Sequence, residues 1–236
     1  MNDNASLAIT GRAGETSTQA RVQRALQSAA VAARLRRARF GILGTPIEGY
    51  INVTCDAADL RTAVGCELVE ISADEWLDSY ESAPPSHVAA LQARLSQACT
   101  VNVADPDELA RSVRLCVALE RVAHRHGLDG GTFNCRHEFG VEHPNIGLIG
   151  CLANSHLTTL GFPFTCTGDT LTAIAMFLGK HLSGNALYCE LDTIDYVRNA
   201  VLCANTGEGD FCQAAERPCI RASGKESGRS SRGCSV

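Results

Sequence analysis

Between Gly161 and Asp210 the chain interrupts short apolar runs with polar and glycine clusters more sharply than anywhere else, and this alternation constrains the fold class. Phe162 to Cys166 is an apolar run that Thr167-Gly168-Asp169 breaks. From Thr170 to Leu182, Leu171, Ile174, Ala175 and Leu178 recur at helical spacing until Ser183-Gly184 stops them. The pattern predicts strand, polar turn, helix. A second strand is expected over Ala186 to Glu190, with Glu190, Asp192 and Asp195 at its end. A turn over Val197 to Asn199 and a return strand over Ala200 to Ala204 follow. In an open α/β sheet the strand ends line the ligand crevice, so two ends carrying polar groups mark a site.

The upstream chain follows the same grammar. Ala20 to Leu35 places Val22, Leu26, Ala29 and Ala33 on one helical face, and Arg39 to Leu43 reads as a strand closed by Gly44-Thr45-Pro46. GILGTPIEGY is neither G-x-G-x-x-G nor a P-loop, which argues against a nucleotide. Asp56 caps an expected helix over Ala57 to Val64, and Glu67 to Ile71 is the next strand. Ser72 with Glu75, Pro84-Pro85-Ser86, and Asp105-Pro106 each open a further helix, the last running to about His126. A strand over Gly130 to Cys135 ends in a polar loop containing His137, Glu138, Glu142 and His143, where binding residues gather on a rigid sheet. Ile146 to Leu160 reads as a helix.

This order implies an α/β fold: a doubly wound, mostly parallel, Rossmann-like sheet followed by a β-hairpin region. Residues 1–18 are expected to be a flexible start and 19–184 the Rossmann-like domain. Residues 185–212 read as the start of a β-rich C-terminal domain. Residues 213–236, where Arg217, Arg221, Lys225, Arg229 and Arg232 lie among Ser, Gly and Ala without an apolar period, are expected to be disordered.

A formal charge of −5 and 5% aromatic residues leave no basic stripe or stacking platform, which argues against nucleic-acid partners. The apolar run Leu171 to Gly179 is closed by Lys180, far short of the roughly 20 residues of a membrane span, and MNDNASLAIT lacks the character of a signal peptide. The 12 cysteines never reach C-x-x-C spacing, and Cys116, Cys151, Cys166, Cys189 and Cys203 sit inside apolar segments. They read as reduced thiols in a cytoplasmic protein.

The segments from Ala32 to Phe211 resemble the L-fucose and L-arabinose isomerase family. The resemblance rests on Gly161-Phe162-Pro163, on Cys166-Thr167-Gly168-Asp169 with the helix ending Leu182-Ser183-Gly184, and on Glu190 and Asp195 before Asn205-Thr206-Gly207. It implies the middle Rossmann-like domain and the beginning of the C-terminal domain of a metal-dependent aldose–ketose isomerase, acting on a small-molecule sugar such as a pentose or 6-deoxyhexose. It also implies a homo-oligomer whose sites neighbouring subunits complete. Carried over residue by residue, Glu190 and Asp169 are the expected catalytic carboxylates, and Thr167, Asn205 and His137 the expected substrate contacts. Glu190 with Asp192 would ligate Mn2+ or another hard divalent cation. The chain departs from the pattern where Thr167 replaces the family's first acid and Asn205 a family histidine. A non-catalytic sugar-binding or assembly remnant is therefore the alternative to an isomerase.

Overall fold

The computed structural model describes residues 7–50, 53–136, 138–205, 207–222 and 233–236. Four short strands, β1 (Arg39–Leu43), β2 (Glu67–Ile71), β4 (Gly130–Phe133) and β5 (Phe164–Thr165), form one sheet in the order β2-β1-β4-β5. Every pair in it is parallel, as expected when helices connect successive strands. The connecting helices are α1 (Thr16–Leu35), α2 (Ala57–Ala63), α3 (Ala73–Glu81), α4 (Pro85–Ala98), α5 (Pro106–His126), α6 (Cys151–Leu160) and α7 (Thr170–Ser183). The remaining strand between them, β3 (Thr100–Asn102), lies outside this sheet.

The alternation along β1 divides the core. Phe40 packs edge-on against Phe177 of α7, ring centroids 5.7 Å apart, in a cluster with Leu60, Ala173 and Ile174. Leu43, an odd number of residues later, joins the opposite cluster around Trp76, Leu91, Val113, Leu119 and Leu152 from α3 to α6. The sheet is thus covered on both faces, the doubly wound arrangement expected. Each fully buried Phe or Leu contributes about 1.5–3 kcal/mol. The helix starts follow their capping residues: Asp56 accepts from the amides of Ala58 and Asp59, Ser72 from Glu75, and Asp105 from Asp107.

Three expectations need correction. The strand placed over Ala186 to Glu190 begins where it was expected to end: β6 is Glu190–Asp195, and it pairs antiparallel with β7 (Ala200–Ala204) as a separate two-stranded ribbon. Leu191, Ile194 and Val201 stay exposed on it, so burial gives this strand no register signal. Glu190, Asp192 and Asp195 consequently lie within a hairpin strand and not at an end of the parallel sheet. Helix α1 begins at Thr16, inside the segment 1–18 expected to be a flexible start; residues 1–6 of that segment lie outside the described residues.

The third correction is the tail. Phe211–Gln213 forms a 3-10 turn, β8 (Cys219–Ala222) pairs parallel with β3, and β9 (Cys234–Ser235) pairs antiparallel with β8. Ile220 and Cys234 are fully buried, and the Val236 amide donates to the Gly207 carbonyl at 3.1 Å. Order here comes from backbone ladders and two buried apolar side chains, which leave no period for sequence patterning to detect. Residues 223–232, part of the expected disordered tail, lie outside the described residues.

Candidate functional site

The carboxyl ends of β1, β4 and β5 bring three loops together. Asn134, just past β4, donates its side-chain amide to the Thr45 carbonyl, and the Ile47 amide donates to the Thr167 carbonyl at 3.2 Å. The turn after β5 is thereby held against the loop after β1. Gly168 there has φ +84°, and a β-carbon on it would stand 2.5 Å from the Pro46 α-carbon, so only glycine fits.

Thr167 is the unusual residue. It holds φ 60°, a left-handed conformation that β-branched residues avoid, is 6% exposed, and its buried hydroxyl faces the Tyr188 phenol. The backbone strain costs about 1–3 kcal/mol, and such costs concentrate at functional positions. Thr167→Gly is expected to stabilise the protein by about 1 kcal/mol, relief of strain exceeding the added chain entropy. Urea unfolding reads this directly; an unchanged or lower midpoint would show that the backbone there is not strained.

Glu190 Oε1 accepts the Tyr188 hydroxyl at 2.9 Å. Thr167 and Glu190 both act on this phenol, which burial above all, and then Glu190, push above its ordinary range. Thr167 and Glu190 are therefore brought to one place. Asp169 instead caps α7, accepting from the Thr172 amide at 2.9 Å and the Thr172 hydroxyl at 2.7 Å, so both its oxygens are occupied. Asn205 turns inward: its amide donates to the Tyr188 carbonyl at 2.6 Å, and its oxygen accepts from the amides of Gly207 and Glu208, each at 2.8 Å. It fastens a turn. Asp192 lies exposed at the irregularity in the β6–β7 pairing. His137 lies outside the described residues, and His143 in the same loop accepts the Asn145 amide at 3.1 Å through Nδ1.

The residue that sequence reading missed is Glu208. The turn built by Asn205 places its carboxyl in the interior, 8% exposed, where Oε1 accepts from Asn154 Nδ2 at 2.7 Å. Oε2 has no amide or hydroxyl partner among the described residues, and neither does Asn154 Oδ1; the nearby donor is the Cys166 thiol. Burial pushes the Glu208 carboxyl up to about 8; the Asn154 bond offsets part of this, and Cys135 and Glu190 add to it. Around it, Cys166 donates to Cys135, which lowers the Cys135 thiol and raises that of Cys166. Burial raises Cys151 as well. An acid between two glycines, Gly207-Glu208-Gly209, was the available signal, but turn carboxylates are usually solvated.

Among the described residues no group of three His, Cys, Asp or Glu side chains stands close enough to hold a metal ion. With Asp169 spent on a helix cap and Asp192 out on the hairpin, the described residues do not fit the expected Mn2+ cage. What such a cluster can do is move protons: a buried carboxyl and an exposed one, Glu208 and Glu190, sense each other's charge beside the Thr167 and Tyr188 hydroxyls.

No model of a known protein family matches the chain. It is similar to two curated proteins, the sulfoquinovose isomerases of Priestia aryabhattai and Priestia megaterium (strain ATCC 12872 / QMB1551). It is 22% identical to each over 209 residues, covering 87% of this chain and 46% of each relative. The chain thus spans about half the length of the curated relatives it matches, and those relatives are sugar isomerases by name.

Proposed function

We propose that this chain carries the proton-transfer part of a sugar isomerase site, interconverting an aldose and a ketose through an enediol. The observation that carries the reading is the meeting of Thr167, Tyr188 and Glu190 at the end of β5, in a chain similar over most of its length to sugar isomerases. Shifting a carbonyl between C1 and C2 needs a base that removes a carbon-bound proton and returns it to the neighbouring carbon, with proton exchange at the two oxygens. In this reading Glu190 takes the carbon proton, and its exposed position and the Tyr188 hydroxyl bonded to its Oε1 support that role. A pentose, a 6-deoxyhexose or sulfoquinovose are the substrate classes in view, the first two by the family resemblance and the third from the relatives' names.

The experiment incubates the protein with these aldoses in D2O and follows C2 deuteration and ketose formation by NMR. Exchange and ketose with one sugar, both lost in Glu190→Gln, are expected. The Thr167 and Asn205 departures favour one second reading, the non-catalytic scaffold. Saturable sugar binding with no exchange at C2 would establish that reading and overturn the first.

A further inference from the structure

We propose that Glu208 is the second proton-transfer group of this site, serving the sugar oxygens while Glu190 serves the carbons. The inference rests on the isomerase reading and supplies the acid that Thr167 does not. It starts from three adjoining facts. The carboxyl is more than nine-tenths buried, Asn154 fixes one of its oxygens at 2.7 Å, and the other oxygen is left without an amide or hydroxyl partner. Buried polar atoms in native proteins are almost always satisfied, and here Glu208 Oε2 and Asn154 Oδ1, on two side chains already bonded to each other, are both left over. A polyhydroxylated ligand, rich in hydroxyl donors, satisfies both; an apolar one satisfies neither.

The chemistry balances with two carboxyls. Glu190, ionised, takes the proton from C2 as the protonated Glu208 gives its own to O1, forming the neutral enediol. Glu190 then returns its proton to C1 and Glu208 recovers one from the O2 hydroxyl, leaving the ketose and both groups as they began. No redox change occurs. The titratable groups acting on Glu208 are Cys135 and Cys166 from the sheet ends and Glu190 from the hairpin; Cys151 of α6 lies beside it, and the Arg136 guanidinium acts on Cys135 and Cys151. Burial above all, with Cys135 and Glu190 adding to it, keeps Glu208 protonated at neutral pH, as an acid must be.

The test uses the aldose that shows turnover and measures kcat and KM against pH for the parent, Glu208→Gln and Glu208→Asp. Glutamine keeps the size and the Asn154 contact but has no proton to cycle. It should lower kcat by about a hundredfold or more with little change in KM, while the parent's fall in activity above about pH 8 disappears. Aspartate should retain that alkaline limb with part of the activity. A Glu208→Gln protein with parental kcat and an unchanged limb would overturn the role of Glu208 and leave the isomerase reading standing. A parent protein that exchanges no C2 proton of any sugar would overturn both.

Discussion

Glu208→Gln will leave the protein about as stable as its parent near pH 5 and more stable by on the order of 4 kcal/mol at pH 9. The folded carboxyl titrates at about 8 against an ordinary value of 4.5. Between those values the unfolded chain has released this proton and the folded chain still holds it, so the native state binds more protons and parental stability falls as pH rises. Below 4.5 both states are protonated and the contribution is fully present; above 8 both are ionised and the loss is complete. Each unit of separation is worth about 1.4 kcal/mol, which sets the scale. Glutamine mimics the neutral form and carries no such term. Glu75 and Glu120 slope the other way at acid pH, because hydrogen bonds from His126 and His156 lower them, but they are common to both proteins and cancel in the difference. Urea midpoints from pH 5 to pH 9 make the comparison. Parallel curves would mean that Glu208 ionises freely and that water reaches its carboxyl.

The parallel sheet was legible because its strands and helices announce themselves separately. Arg39–Leu43 and Glu67–Ile71 are apolar runs of strand length, and Asp56, Ser72 and Asp105 are good caps that do cap. The boundaries slipped where burial does not discipline the pattern, as in the exposed ribbon β6–β7, and the tail strands β8 and β9 were invisible because only Ile220 and Cys234 anchor them. The site was half legible. Thr167 and Glu190 stand out by place in the chain, whereas a sequence does not reveal which carboxylates are spent. Asp169 and Glu208 look alike in a string of letters, and only the fold shows that one caps a helix with both oxygens and the other lies buried with one oxygen idle.

Breaking the ion pair between Lys180 and Asp210 will be among the most destabilising single changes in the protein, and the two halves will not be equivalent. The ammonium and carboxylate are 2.6 Å apart with side chains only 7% and 0% exposed, so both charges depend on each other for compensation. Asp210 has other support, accepting the Ala186 amide at 3.3 Å and the Cys212 amide at 3.1 Å, while no other partner appears for Lys180 among its described hydrogen bonds. Asp210→Leu strands a buried cation and is expected to cost about 3–5 kcal/mol. Lys180→Met should cost less, because two backbone amides remain to solvate the carboxylate. Combining the two replaces the pair with apolar groups and should recover much of the loss, since desolvation and attraction disappear together. The coupling energy from a double-mutant cycle in urea is the measurement, and simple additivity would show that the charges are solvated independently. The pair joins the last turn of α7 to the residue two positions beyond Glu208. Asp210→Leu should therefore also loosen the turn that buries Glu208, and the pH dependence that Glu208 imparts should shrink with it. An unaltered slope in Asp210→Leu would mean that Asn205 and Asn154 alone hold that carboxyl in place.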